Sequence, residues 1–114
     1  RRENAYIYFN ELKSKNIFLP TENKNEFNTY HTFVIQLDNR DKLQNYLSKK
    51  GINTAIHYPI PIHKQKAYKS YSSNNEKYPN AEKQSKKILS LPINQYLLKK
   101  EIVAISKEVN NFYK

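Results

Sequence analysis

The chain has 114 residues and a mass of 13.6 kDa, which is the size of one compact domain and excludes a two-domain enzyme. Its 20 Lys and Arg residues outnumber 10 Asp and Glu residues and give a formal charge of +10, which favours nucleic acid, anionic membranes or phosphate-bearing ligands as partners. The absence of Cys excludes disulfides, Cys-ligated zinc and thiol catalysis, and the single Gly excludes a Gly-rich phosphate loop.

The first half of the chain predicts a helix, a short extended piece, a strand and a second helix. Apolar residues at helical spacing predict a helix over residues 2–14, followed by an extended piece at residues 16–19 that Pro20 stops. Residues 30–37 alternate as a strand does, and one face carries His31, Phe33, Ile35 and Leu37. The second helix places three apolar side chains on one face: Leu43, Tyr46 and Leu47.

Gly51 directly follows the lysines that end this second helix, so we expect it in the left-handed conformation that closes a helix. Residues 52–58 alternate and predict a second strand, and residues 64–69 predict a short helix before a polar loop at 70–77. Pro79 begins another helix, one face of which carries Ala81, Ser85, Ile88 and Leu89. The strongest helical stripe closes the sequence: Leu98, Ile102, Ile105, Val109 and Phe112.

These elements predict an α+β fold, because a small sheet needs helices to cover its apolar face. Two strands are too few to stand alone, so at least one more extended segment should join them. Residues 17–19 and residues 89–91 are the candidates. We therefore expect a small antiparallel or mixed sheet covered by helices. No apolar run is long enough to cross a membrane, and we expect a soluble chain.

The segment His57-Tyr58-Pro59-Ile60-Pro61-Ile62-His63 is the most informative part of the sequence. Its prolines stiffen the chain where the second predicted strand ends, and loops at strand ends often contribute to ligand sites. A proline-stiffened connector that binds no ligand accounts for the same residues equally well. A metal site is disfavoured, because the two histidines lie six residues apart with no Cys, Asp or Glu close in sequence.

Tyrosines and lysines are interleaved in residues 64–71, a composition that can bind nucleic acid. The lysines are spread along the whole chain, however, and no RNA-binding or DNA-binding motif is present. A stand-alone basic module for nucleic acid or another polyanion is therefore the alternative function that the residues leave open.

Several strings run in order through nearly the whole chain: Phe33-Val34-Ile35, Arg40-Asp41-Lys42-Leu43, Leu47-Ser48-Lys49-Lys50-Gly51-Ile52, the segment from Ile56 to His63, Ala67-Tyr68, Tyr78-Pro79-Asn80-Ala81-Glu82 and Leu89-Ser90-Leu91-Pro92. Together they resemble the C-terminal part of the DegT/DnrJ/StrS aminotransferases. These enzymes use pyridoxal phosphate (PLP) to aminate keto groups of nucleotide-linked sugars. The last string is expected to be structural.

This resemblance implies the C-terminal small domain of a type I aminotransferase fold. Residues 29–114 would form that domain, and residues 1–28 would be a helix and linker leading from a large domain. The large domain would carry PLP and its Schiff-base lysine, so we assign no catalytic residue here and expect no PLP on this chain alone. The chain begins at Arg1 and contains no Met, which favours a piece of a longer protein. The resemblance implies that this piece is inactive by itself.

The resemblance further implies a cytoplasmic homodimer in the intact enzyme. It would transfer an amino group from glutamate to a nucleotide-diphosphate sugar, for surface polysaccharide or deoxyaminosugar biosynthesis. Family members that act at the sugar's 3-position often carry a segment like residues 57–63, so a 3-keto-6-deoxyhexose is the expected sugar. No metal, nucleic acid or membrane partner is expected.

The resemblance assigns five candidate substrate-binding residues: His31, His57, Tyr58, His63 and Gln65. A Tyr ring can stack on a base or sugar, and a His can donate to a diphosphate oxygen. Period two would put His57 and Tyr58 on opposite faces of a strand, so only one of them should face the ligand. His31 lies on an apolar face, which favours a core histidine over a ligand. His63 and Gln65 could bind the substrate or could serve only to stabilise the fold, and the sequence leaves both roles open.

Overall fold

A computed structural model describes residues 1–71 and 77–114 of the chain. Within them, three antiparallel strands form one sheet in the order β1-β2-β3: β1 is Ile17–Phe18, β2 is Phe33–Leu37 and β3 is Ile88–Leu91. Every second side chain of β2 is buried, which confirms the predicted alternation. Both segments that the sequence offered as additional strands join the sheet, one at each edge.

Four α-helices accompany the sheet in the described residues: α1, Arg2–Glu11; α2, Arg40–Lys49; α3, Pro79–Ser85; and α4, Lys99–Asn111. Two 3-10 helices, Ile62–Lys64 and Lys66–Ser70, replace the single short helix predicted there. The predicted polar loop at 70–77 falls mostly outside the described residues. α1 packs along α4, and α2 contacts both α4 and β3. None of these helices is long and apolar enough to span a membrane.

Gly51 closes α2 in the predicted left-handed conformation, with a φ of +75°. Its N–H donates to the Ser48 carbonyl at 3.0 Å, and the N–H of Ile52 donates to the Leu47 carbonyl at 2.9 Å. These two bonds form a Schellman motif, which satisfies carbonyls that the helix end would otherwise leave unpaired. The chain therefore leaves α2 in a direction fixed by backbone hydrogen bonds.

The core lies between the sheet and the helices, and Tyr8 of α1 is one of its largest fully buried side chains. The Tyr8 ring stacks on Phe33 with 4.7 Å between ring centroids, and its hydroxyl donates to the Pro92 carbonyl at 2.7 Å. Burial raises the pKa of Tyr8, because the phenolate would lose its hydration. The fully buried aliphatic side chains around it include Ile35, Leu43, Leu47, Leu89, Ile102 and Val109.

The strand predicted over residues 52–58 is wrong. In the described structure this segment shares a single bridge with the sheet, between Ala55 and Ser90 of β3. Ile52 and Ile56 are nevertheless half-buried against the core. An alternating sequence indicates which side chains are buried. It does not indicate whether the backbone forms hydrogen bonds with a neighbouring strand. We therefore name these residues the bridging segment (52–56).

The helix that begins at Pro79 ends earlier than its apolar pattern predicts. α3 stops at Ser85, and Ile88 and Leu89, predicted on its apolar face, lie in β3 instead. Leu89, Ser90 and Leu91 are all buried, so both faces of β3 are covered. A short apolar run of this kind fits a buried strand and a buried helix equally well.

α1 also ends three residues before the predicted boundary of residue 14, at Glu11. The reason is a contact with α4. The Asn110 side chain donates to the Glu11 carbonyl at 2.8 Å and accepts the N–H of Lys13 at 3.0 Å. A side chain distant in sequence thus pairs the backbone groups that a further helical turn would have used.

Candidate functional site

A cavity of about 510 Å³ lies beside the proline-stiffened segment that follows the bridging segment. One wall is the chain from His57 to Gln65, and the opposite wall comes from α3 and the first residue of β3. Four of the five predicted site residues line this cavity together: His57, Tyr58, His63 and Gln65. Two further aromatic side chains, Tyr68 and Tyr78, complete an aromatic and imidazole lining.

His57 is held in place from the sheet side. Its Nδ1 lies 2.9 Å from Oγ of Ser90, a buried residue of β3. The peptide bond between His57 and Tyr58 is cis.

Tyr58 forms the outer edge of the cavity and is 72% exposed. Its ring meets the His57 ring edge-on, with 5.4 Å between centroids. An exposed aromatic ring beside an open cavity can stack on a planar base or on the apolar face of a sugar. The premise that a strand puts His57 and Tyr58 on opposite faces is wrong, because neither residue lies in a strand and both line the same cavity. Which of them contacts a ligand stays a prediction.

His63 lies deep in the cavity wall, with a side chain only 10% exposed. Its Nε2 is 3.1 Å from Oε1 of Glu82 in α3, and its ring packs against Tyr78 with 4.8 Å between centroids. Lys64 contacts the second oxygen of the same carboxylate at 2.5 Å. The Lys64 ammonium, and then the His63 ring, hold the pKa of Glu82 below its usual value. Glu82 therefore joins the 3-10 helix to α3.

Gln65 both lines the cavity and stiffens its wall. Its side-chain Nε2 donates to the Ile60 carbonyl at 3.3 Å, which closes the turn between the prolines and the 3-10 helices. The amide oxygen is an acceptor that this bond does not use. Gln65 thus has a structural contact and a remaining polar group at the cavity.

His31 is not a core histidine, which corrects the expectation from strand alternation. Tyr30 takes a positive φ of 47° and is buried, and β2 begins only at Phe33, so the alternation is broken between them and His31 is exposed. His31 lines a smaller cavity of about 250 Å³, which His57 and Ser90 also line. Its Nδ1 lies 3.1 Å from the guanidinium of Arg1.

Sequence reasoning missed two residues that hold the site together, Ser90 and Glu82. Both are ordinary in the sequence, and their partners lie 33 and 19 residues away along the chain. Both occur in strings that carry the family resemblance, and that was the only available signal. No group of three or more His, Asp or Glu side chains in the described part of the chain is placed to hold a metal ion.

Comparison with known proteins assigns the chain to a protein family. Residues 1–110 match the model of the DegT/DnrJ/EryC1/StrS aminotransferase family. The chain belongs to this family. The small antiparallel sheet with its helices confirms the α+β class and the resemblance to type I aminotransferases.

Two curated relatives and one solved structure show the extent of this similarity. The chain is 37% identical over 98% of its length to dTDP-3-amino-3,6-dideoxy-alpha-D-galactopyranose transaminase of Aneurinibacillus thermoaerophilus. It is 32% identical over 97% of its length to UDP-2-acetamido-2-deoxy-3-oxo-D-glucuronate aminotransferase of Pseudomonas aeruginosa. The crystal structure of S. venezuelae DesV in complex with a ketimine intermediate matches 99% of the chain, at 28% identity and a TM-score of 0.92.

The chain spans about 30% of the length of these two relatives and 31% of the DesV chain. What the relatives catalyse as whole proteins is therefore a property of molecules about three times as long. The match to the solved structure extends over the sheet and the helices described above.

Proposed function

We propose that the chain is the C-terminal small domain of a cytoplasmic, PLP-dependent aminotransferase that acts on nucleotide-linked sugars. Residues 29–114 form the domain that closes on the substrate, and residues 1–28 lead into it from a large domain. The observation that carries this proposal is the cavity in which His57, Tyr58, His63 and Gln65 come together. It lies on a chain whose family acts in amino transfer.

The chemistry of the cavity suits a nucleotide-diphosphate sugar. Tyr58 offers an exposed ring for stacking and a hydroxyl for hydrogen bonding. His57 offers a ring nitrogen that is not used by Ser90, and an imidazole N–H can donate to a phosphate or sugar oxygen. His63 is bound to Glu82, so its role is to shape the wall and to present its remaining ring nitrogen.

The names of the relatives favour the 3-position of the sugar. One relative is named for a 3-amino sugar and the other for a 3-oxo sugar. We therefore propose a 3-keto-6-deoxyhexose linked to a nucleoside diphosphate as the acceptor, with glutamate as amino donor. The product would serve surface polysaccharide or deoxyaminosugar biosynthesis.

The residues of the cavity do not fit PLP itself. A PLP site would need a lysine to hold the cofactor as a Schiff base, and an acidic residue commonly pairs with the cofactor's ring nitrogen. Neither Lys nor Asp is among the described residues that line the cavity. We therefore assign PLP to a preceding large domain, in an enzyme that works as a homodimer, and derive no chemical step through it here.

The test uses the complete gene product with PLP, glutamate and a dTDP-linked 3-keto-6-deoxyhexose. We expect His57→Ala and Tyr58→Ala each to raise KM for the sugar by about 10–100-fold, because each removes a contact to a charged or stacked ligand group. Tyr96→Ala is the matched control, since Tyr96 is 81% exposed and lies outside the cavity lining. The 114-residue chain alone should form no stoichiometric PLP adduct at a single lysine.

Two outcomes would contradict the proposal at different levels. Amination of a 4-keto sugar with rejection of the 3-keto isomer would overturn the assigned ring position and leave the enzyme class in place. A wild-type protein that aminates no nucleotide sugar would overturn the function itself. Salt-sensitive binding of an oligonucleotide by that inactive protein would then support the alternative basic module.

A further inference from the structure

Ser90 is tied to the bridging segment and to His57 by three hydrogen bonds. Its N–H donates to the Ala55 carbonyl at 2.7 Å, and its carbonyl accepts the N–H of Ala55 at 3.1 Å. Its hydroxyl meets Nδ1 of His57 at 2.9 Å. The backbone pair fixes the chain two residues before His57, and the side chain fixes the ring.

The surroundings of Ser90 favour one direction for the third bond. The residue is 5% exposed, and buried hydroxyl groups are normally hydrogen-bonded within the protein. Among the described residues, His57 Nδ1 is the single hydrogen-bond partner of that hydroxyl. A hydroxyl that donates to Nδ1 requires a lone pair on that nitrogen, and neutral His57 then keeps its proton on Nε2.

We propose that Ser90 is a positioning residue that fixes the orientation and the Nε2–H tautomer of His57. His57 then presents a hydrogen-bond donor to an acceptor oxygen of the nucleotide sugar. This second step rests on the proposed function, whereas the tautomer itself does not. Ser90 acts through His57 and does not touch the ligand.

The first measurement uses the wild-type 114-residue chain labelled with ¹⁵N at histidine. At about pH 8, where imidazoles are neutral, two-bond ¹H–¹⁵N spectra distinguish a protonated from an unprotonated Nδ1. We expect Nδ1 of His57 to be unprotonated and Nε2 to carry the proton. A protonated Nδ1 in the wild-type chain would overturn the proposal. This test needs no variant and therefore does not depend on whether a variant folds.

The variants separate a positioning role from a merely structural one. Ser90→Ala should give a mixture of tautomers, with the Nδ1 signal displaced toward the protonated value, and Ser90→Thr should restore the wild-type signal because it keeps the hydroxyl. Ser106→Ala is the matched control, since Ser106 is also buried and its hydroxyl donates to the Ile102 carbonyl instead. An unchanged His57 signal in Ser90→Ala contradicts the proposal.

The second measurement uses the complete gene product. Ser90→Ala should raise KM for the nucleotide sugar by about 2–10-fold and leave KM for glutamate unchanged, as expected for the loss of one oriented hydrogen bond. Equal changes in both KM values, or no rescue by Ser90→Thr, would contradict the positioning role. Absence of amination by the wild type would instead contradict the proposed function. The tautomer of His57 would still be decided by the first measurement.

Discussion

Hydrogen bonds between side chains that are distant in sequence place the histidines of the candidate site. Ser90 holds His57 from β3, and Glu82 holds His63 from α3. The histidines could be selected from the sequence because few side chains have suitable ring chemistry. Their partners could not be selected, because serine and glutamate are common and only the fold brings them within 3.1 Å.

The Glu82 carboxylate predicts a dependence of stability on pH in the acid range. Lys64 and His63 lower its pKa in the folded chain, so its contribution is complete above the usual value of 4.5 and is lost as the pH falls through the lower folded value. We expect Glu82→Gln to unfold at lower urea concentration than wild type at pH 7. The difference should shrink on acidification.

Urea unfolding curves at a series of pH values measure this effect. Glu3→Gln is the control, because Glu3 is exposed and takes part in none of the ion pairs of the described residues. A stability difference for Glu82→Gln that is the same at every pH would show that the carboxylate acts by packing and not by its charge.

At the scale of elements, chain direction depends on how helices end. Gly51 and the Schellman bonds close α2, and the bridging segment then passes along β3. The sequence predicted this helix end because a lone Gly that directly follows a lysine-ended helical turn is typical of a helix C-terminus. It did not predict the end of α1, which the Asn110 side chain of α4 determines.

Substitution of Gly51 should lower the free energy of unfolding, because other residues are strained at a positive φ. A Cβ at this position would meet no atom within 4 Å, so the cost is conformational and does not come from a clash. We expect Gly51→Val to lower the free energy of unfolding by about 1–2 kcal/mol. Gly51→Asn should cost less, because Asn adopts this conformation more readily, as Asn39 does here at a φ of 61°. Equal costs in urea unfolding would show that the positive φ is not the cause.

For the whole molecule, α1 is an integral part of the folded unit. It packs along α4, and Tyr8 connects it to Phe33 of β2 and to the Pro92 carbonyl after β3. The division into residues 1–28 and residues 29–114 stays a prediction. The apolar face of α1 is covered by other elements of this chain.

Two tyrosines on α1 test this arrangement. Tyr8 is fully buried, and Tyr6 is 47% exposed and accepts a hydrogen bond from Arg2 at 3.0 Å. Tyr8→Ala should lower the free energy of unfolding by about 3–5 kcal/mol, because it leaves a cavity at the junction of helix and sheet. Tyr6→Ala should cost less than about 1 kcal/mol. Similar unfolding midpoints for the two variants would show that α1 is not anchored through Tyr8.

The sequence by itself determined the α+β class, the alternation of β2, the closing role of Gly51 and the family, because periodicity, a lone Gly and ordered strings are local properties. Only the tertiary structure decided that residues 52–56 bridge β3 without forming a ladder and that Ile88–Leu91 is a strand. It also placed His31 outside the core and His57 beside Ser90. These outcomes depend on which backbone and side-chain groups meet across the fold, and such pairing leaves no periodic trace in the chain.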